Sequence, residues 1–360
     1  MDMDNKKNNN HKKTPAKKHR KKRVPNFGRI IPWTLALLIV LGIIVFFIRI
    51  AIWDHGIEYV ITKEDLDNII LDTRDNIVLM PPSKLPDQTY DGKTTVLVFG
   101  NDSYFEGEND NSGIIDYMKS DIPDVEFINC CLPGSGLNSY NLVEKSPSEC
   151  PEDYFTLFWL AFDIYWNEFS RQHEALMYLD PAQYDTARYE EVINTLETLD
   201  MASVDVVMFC YDGHDYRNGR LPVNFVGEDA QTENVESLLG SLYTTVYLFN
   251  LYNPNIQYVY VSPAFCYGID GNGEKVSCAI LDTGNGTIAD TFDAANLVRN
   301  YYGISYIDMY SGVEVNEENA DDYLEDDGIT PNKKARRMMA DRLVKLLSDR
   351  FVDRSSSDTK

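Results

Sequence analysis

Four short segments of this chain carry side chains able to do acyl chemistry. Gly100-Asn101-Asp102-Ser103 presents a hydroxyl at Ser103. Asn129-Cys130-Cys131-Leu132-Pro133-Gly134-Ser135-Gly136 is a glycine-containing turn able to offer backbone N–H groups. Asp212-Gly213-His214-Asp215 sets an imidazole among carboxylates, and Asp327-Gly328-Ile329-Thr330-Pro331-Asn332 sets a carboxylate three residues before a hydroxyl. A serine attacks an acyl carbon when a base takes its proton and fixed donors receive the oxyanion. A threonine hydroxyl, with a pKa far above neutrality, cannot be that base. His214 is the imidazole inside these segments; His55 and His173 lie outside them.

Elements that bring such segments together are legible in the hydrophobic pattern. Thr95 to Phe99, Val125 to Ile128, Val204 to Cys210, Gln257 to Val261 and Ser305 to Ile307 are β-branched or aromatic runs bounded by turn residues, as buried parallel strands are. Between them lie helix-length segments such as Glu233 to Asn250, and Pro331 to Phe351 repeats apolar residues at helical spacing with proline near its start. Strands alternating with helices predict an α/β fold with a mainly parallel sheet. Ligands bind such sheets at the carboxyl ends of the strands. Three of the four segments follow a predicted strand and the fourth precedes the last helix.

In this order the segments resemble the four blocks of the SGNH (GDSL-like) hydrolases, over about residues 94–350. Ser103 matches the nucleophile, and Gly134 the second-block glycine, with Gly136 as the alternative. Gly213-His214-Asp215 matches the third block with histidine in the asparagine place, and Asp327-x-x-Thr330 the fourth with threonine in the histidine place. The resemblance implies a three-layer sandwich of flavodoxin-like type. It implies Ser103 as nucleophile, Asp327 as the triad aspartate, and an oxyanion hole formed by Ser103, Gly134 and the side chain at 214. It implies no cofactor. With Thr330 in the base position, turnover falls on the order of a millionfold in such a triad, unless His214 compensates. His214 has two ways to do so: as a hydrogen-bond donor to developing charge, or as a relocated base for Ser103.

Charge divides the chain. Of its 360 residues, 1–29 hold eleven Lys/Arg against two Asp, which leaves 22 basic and 55 acidic residues in the remainder, a balance of −33. From Ile30 to Ile48 no charge appears, Trp33 and Trp53 flank the run, and Arg49 follows it. A run of this length is enough to cross a bilayer core of roughly 30 Å as a helix. Basic residues before it favour a cytoplasmic N-terminus and an outward-facing body. The expected organisation is a basic cytoplasmic tail (1–29), a single transmembrane anchor (30–53), a stalk or packed wrap (54–92), the SGNH-like domain (93–352) and a disordered tail (353–360). The basic tail beside a membrane span reads as a topology signal touching anionic lipid, and nucleic acid is not expected.

Six cysteines without a CxxC or a His/Cys cluster predict buried thiols and no metal site. Tyr154, Phe155, Phe158, Trp159, Phe162, Tyr165, Trp166 and Phe169 recur at helical spacing, as core packing or as a substrate wall. Asp270-Gly271-Asn272-Gly273 reads as a tight hairpin turn, since it lacks the ligand spacing of a calcium loop. The expected function is hydrolysis of O-acyl esters on cell-surface glycans, in partnership with the bilayer, the acylated glycan and membrane acyl-transfer proteins. The competing expectation is a pseudo-hydrolase that binds glycan or scaffolds a surface assembly.

Overall fold

The computed structural model describes residues 74–85, 90–140, 145–226 and 229–353. The basic tail, the apolar run, the first part of the expected stalk and the tail beyond residue 353 lie outside the described residues. Among the described residues no helix is long and apolar enough to cross a membrane.

Five parallel strands form the central sheet: β1 (Thr94–Gly100), β2 (Val125–Asn129), β3 (Val206–Cys210), β4 (Gln257–Val261) and β5 (Ser305–Ile307), in the order β2-β1-β3-β4-β5. All seven residues of β1 are buried, so its side chains supply both faces. Leu97, Phe99, Val207, Phe209, Tyr258 and Tyr260 enter one core, while Val96, Val98, Val206, Met208, Val259 and Val261 enter the other. That alternation is the two-residue period of a strand applied to a sheet covered on both sides.

Helices cover each face. α1 (Ile114–Asp121) and α7 (Lys333–Phe351) pack together on one side. On the other lie α2 (Leu157–Trp166), α3 (Ser170–Leu176), α4 (Thr186–Thr198), α5 (Leu238–Tyr252) and α6 (Ile288–Tyr302). Each fully buried Leu or Phe in these layers contributes about 1.5–3 kcal/mol relative to exposure. The result is the expected three-layer α/β sandwich with a mainly parallel sheet. Its order reverses direction between β1 and β3, which opens a crevice at the carboxyl ends of those two strands.

Element ends differ from expectation where polar side chains intervene. β3 starts at Val206 rather than Val204; just before it the Asp205 N–H donates to the Thr95 carbonyl at 3.0 Å while the Asp205 carboxylate accepts the Thr95 N–H at 2.8 Å. α7 starts at Lys333 because Asn332 caps it, its side chain accepting from Lys334 and Ala335 N–H. α5 starts at Leu238, capped by Ser237, instead of at Glu233. In the aromatic segment, Tyr154, Phe155 and Phe158 pack into the interior, whereas Trp166 at the end of α2 is 61% exposed.

Residues 74–85, within the expected stalk, lie against the sheet. Asn76 bridges Tyr306 on β5, Val78 and Leu79 N–H groups donate to Ser305 Oγ, and Leu79 is buried. Asp75 forms an ion pair with Arg342 of α7 at 2.6 Å. This stretch is a packed wrap rather than a free stalk.

Candidate functional site

The crevice at the ends of β1 and β3 collects the loops named by the sequence, but with an unexpected side chain at its centre. The chain leaves β1 at Gly100 and turns through Asn101 into a one-turn helix, Asp102–Phe105. Asn101 is fully buried and locks this turn to the loop after β3. Its Nδ2 donates to Asp212 Oδ1 at 2.8 Å, and its Oδ1 accepts the Asp212 N–H at 3.0 Å. With Asn101 so fixed, Asp102 emerges into the crevice and Ser103 turns inward.

Ser103 is 1% exposed. Its hydroxyl donates to Asp212 Oδ2 at 2.6 Å and its N–H to the same oxygen at 3.1 Å. Among the described residues no hydrogen bond joins Ser103 to His214. The nucleophile role expected of Ser103 is therefore not matched by its surroundings: its proton is directed at a carboxylate, and its own N–H is already used. Ser103 likewise has no N–H free to join an oxyanion hole.

Asp102 takes the crevice position. Its Oδ2 accepts the Gly134 N–H at 2.9 Å and lies 3.9 Å from His214 Nδ1. Gly134, at φ +79°, is in the left-handed region, and the Tyr184 ring lies 3.1 Å from where a Cβ would stand. Both the backbone and the space require glycine. Gly136, the alternative second-block residue, faces inward instead: a Cβ there would meet Asp215 Oδ1 at 2.7 Å. Gly134 is thus the N–H donor of the crevice. Aligning the motif on its serine passes over Asp102. Counting from the strand-end glycine without an insertion puts Asn101 in the aspartate place and Asp102 in the serine place.

His214 opens a second one-turn helix, His214–Arg217. Its ring Nδ1 lies 2.8 Å from Asp212 Oδ1, which also accepts the His214 N–H at 3.0 Å. Burial opposes a charged ring here, but the Asp212 carboxylate, assisted by Asp102 and Asp327, outweighs it and raises the His214 pKa to about 9. For Asp212 burial also disfavours charge, and the imidazolium and the Ser103 hydroxyl overcome it, bringing its pKa down to about 2. Burial, then repulsion from Asp212, raises Asp102. At neutral pH the ring is therefore an imidazolium, a donor rather than a base. Of the two compensating roles open to His214, the geometry fits the donor and not the relocated base.

Asp327 is occupied locally. Its Oδ1 accepts the Ile329 and Thr330 N–H groups, each at 2.9 Å, and its Oδ2 accepts the Thr330 hydroxyl at 2.6 Å. Those bonds lower its pKa against the effect of burial. Thr330 thus donates to the aspartate that a histidine in its place would have addressed. The structure brings Asp327 within electrostatic range of His214, but among the described residues no hydrogen bond joins them. Asp215 supports from behind, accepting the Leu137 N–H at 2.8 Å, and burial raises its pKa to about 6.

Asp102, Asp212 and His214 each offer one ligand atom, all within 4.8 Å of one another, so these are the described residues able to hold a cation. The sequence, which showed no His/Cys cluster, could not reveal a group assembled from two separate loops. With the ring protonated, the imidazolium itself supplies the positive charge between the two carboxylates.

No family model matches the chain, and no curated protein matches it. Many of the solved structures similar to it are GDSL-type lipolytic hydrolases. A possible lipase from Chitinophaga pinensis is 14% identical, with a TM-score of 0.42 over 71% of this chain and 97% of that one. A lipase/acylhydrolase from Enterococcus faecalis is 13% identical, at 0.38 over 72% and 97%. A member of the lipolytic G-D-S-L family from Veillonella parvula is 13% identical, at 0.40 over 71% and 98%. At such identities and scores these are similarities of chain path, and the roles of Asp102, His214 and Asp327 rest on the contacts those residues make.

Proposed function

We propose that this chain is a single-pass, membrane-anchored protein whose outward-facing SGNH-type domain binds O-acylated cell-surface glycan without cleaving it. The observation that carries the reading is the Gly134 N–H donating to the Asp102 carboxylate at 2.9 Å. The chain's own Asp102 carboxyl group takes the N–H that an acyl oxyanion would have to use, and oxyanion stabilisation is the largest single element of acyl-transfer catalysis. The two other requirements are also unmet. Ser103 gives its proton to Asp212, and a carboxylate whose pKa is about 2 is a poor general base at neutral pH. Thr330 completes the coordination of Asp327 and holds no proton-accepting nitrogen.

The anchor and the outward placement follow from the apolar run Ile30 to Ile48 and the basic residues before it. Glycan as ligand class follows from that placement together with the resemblance, and two features of the domain suit it. Carboxylates such as Asp102 accept sugar hydroxyls, and a groove between α2 and α5 is lined by Phe158, Phe162, Tyr243 and Tyr247, aromatic faces of the kind that pack on sugar rings.

One observation favours a second reading, ester hydrolysis: Ser103, Asp212 and His214 form an unbroken hydrogen-bond chain. The two readings separate in one assay of the purified full chain with a fluorogenic acetyl ester. Binding without cleavage predicts no serine-dependent turnover in the parent and a gain when Asp102→Ser and Thr330→His are combined. Turnover in the parent that disappears in Ser103→Ala would establish the hydrolase instead. Calorimetric titration with O-acetylated and de-acetylated glycan fragments tests the ligand class, and equal absence of binding to both removes it.

A further inference from the structure

Cys266 and Cys278 stand apart from the other four cysteines because they face each other across a hairpin. The strands Tyr267–Ile269 and Lys275–Ser277 pair antiparallel, with Tyr267 opposite Ser277, Gly268 opposite Val276 and Ile269 opposite Lys275. The turn between them is Asp270-Gly271-Asn272-Gly273, where the Asp270 N–H meets the Glu274 carbonyl at 2.9 Å. Extending that ladder by one residue puts Cys266 opposite Cys278, and the Cys278 N–H donates to the Cys266 carbonyl at 3.1 Å. The Cys266 N–H points at Cys278 Sγ, 3.5 Å away, and the two thiols hydrogen-bond to each other. Directly opposed residues of a hydrogen-bonded antiparallel pair have Cα atoms roughly 5.5 Å apart, within the span of about 4.4–6.8 Å that a disulfide bridges. Cys130 and Cys131, adjacent in sequence, instead enter opposite cores of the sheet.

We propose that Cys266 and Cys278 form a disulfide when the chain meets an oxidant of the disulfide class, and that this bond staples the hairpin framing the candidate pocket. Both sulfurs are buried, each residue being 1% exposed or less, so reaction proceeds from a locally opened hairpin, whose turn carries Gly271 and Gly273 with open space around them. The Cys278 thiol, which the Cys266 thiol makes the more acidic of the two, loses its proton and attacks one sulfur of the oxidant, expelling the other as a thiolate. The Cys266 thiolate then attacks Cys278 Sγ in the mixed disulfide and releases the second thiolate. Two thiols lose two protons and two electrons, and one oxidant disulfide becomes two thiols.

The hairpin's contacts give the bond its consequence. Gly213, between Asp212 and His214, backs directly on Cys266, where a Cβ would meet the sulfur at 2.5 Å. The Tyr267 N–H donates to the Gly328 carbonyl at 2.8 Å, the Lys275 ammonium donates to the Asp326 carbonyl, and Arg217 donates to the carbonyls of both Tyr267 and Asp327. One hairpin therefore ties the His214 turn to the Asp327 loop. Closing it covalently removes freedom from the opened state and leaves the pocket's two sides joined.

The test is thiol counting on the purified full chain. After incubation with oxidised glutathione, acid quenching and alkylation in denaturant, the expected count is four alkylated cysteines in place of six. A non-reducing digest should yield one cross-linked peptide pair containing Cys266 and Cys278, lost on adding dithiothreitol. The oxidised chain should also melt several degrees higher than the reduced one. Six alkylated thiols, a stable glutathione adduct on one of these sulfurs without cross-link, or a cross-link between other cysteines each overturns the proposal. In Cys278→Ala the cross-link should be absent. The parent measurement decides the question even where that variant folds poorly, and its outcome is independent of whether the pocket binds or cleaves esters.

Discussion

Replacing Asp212 by asparagine tests the electrostatic account of the pocket most directly. The Asp212 carboxylate accepts five hydrogen bonds: from Asn101 Nδ2, the His214 N–H and the His214 ring on Oδ1, and from the Ser103 N–H and hydroxyl on Oδ2. In Asp212→Asn the side chain keeps an acceptor on one side only; the amide NH2 on the other side faces groups that are donors themselves. The ion pair with His214 is lost as well. Raising a histidine from 6.5 to about 9 corresponds, at roughly 1.4 kcal/mol per pH unit, to about 3 kcal/mol of favourable interaction with the charged ring. Removing one partner of a buried ion pair costs about 3–5 kcal/mol in general, so the two routes agree. A folded-state pKa above the unfolded value stabilises the protein fully below the unfolded value and ceases to do so as pH rises through about 9. The variant should accordingly lose about 3 kcal/mol near pH 7 by urea unfolding, and the gap to the parent should narrow above pH 9. In the NMR titration, the His214 Cε1–H resonance should move from a midpoint of about 9 in the parent to a lower one in the variant, where burial is opposed by Asp102 and Asp327 without Asp212. A loss under about 1 kcal/mol, a gap that is the same at neutral and alkaline pH, or a His214 midpoint that stays near 9 would refute the reasoning.

Three further outcomes follow from the same contacts. Ser103→Ala should leave ester turnover unchanged while lowering stability by about 1–2 kcal/mol, since Asp212 Oδ2 loses its shortest donor; equilibrium unfolding beside the acetyl-ester assay reads both. Gly134→Ala should cost about 1–3 kcal/mol, because a Cβ at φ +79° is strained and meets the Tyr184 ring at 3.1 Å, and a variant as stable as the parent by thermal melting would contradict the assigned backbone. Thr330→Val should cost about 1 kcal/mol near neutral pH through the lost bond to Asp327. Because that bond lowers the Asp327 pKa, its contribution is present above the usual carboxylate value and disappears in acid, so parent and variant should converge in unfolding experiments at low pH.

The sheet was legible in sequence because burial on both faces leaves an unmistakable composition. Val96, Leu97, Val98 and Phe99 have nowhere to place a polar residue, and Val259 to Val261 are in the same position. The ends of elements were less so, since they are decided by single polar groups acting through space: the Asn332 side chain caps the last helix at Lys333, and Ser237 caps α5 at Leu238. The wrap at 74–85 reads equally as stalk or packed segment in sequence for a similar reason. Its partners, Ser305 on β5 and Arg342 on α7, are more than two hundred positions away.

In the pocket the side chain that faces the crevice stands one position before the serine of the motif. All four segments converge on the crevice between β1 and β3, as their order implied, but the serine that fits the motif, Ser103, lies one position too deep. Register after a buried strand is set by the last paired residue, here Gly100 opposite Cys210, and by the first side chain that must be satisfied inside, here Asn101. From those two constraints Asp102 has to face the crevice and Ser103 the interior, whatever the motif suggests. The remaining departures then form one consistent set. The carboxylate at 102 beside the Gly134 N–H is accompanied at 214 by a cation rather than a neutral amide, His214 being charged mainly by Asp212. Once the ring is held as an imidazolium by Asp212, Asp327 has no histidine to orient, and a threonine hydroxyl three residues on satisfies it. Restoring only Thr330→His would return a base to a pocket without a nucleophile. Asp102→Ser alone would leave His214 facing an empty oxyanion place with no base in reach. Ester turnover that appeared in either single variant would mean that these positions are not coupled as the contacts indicate.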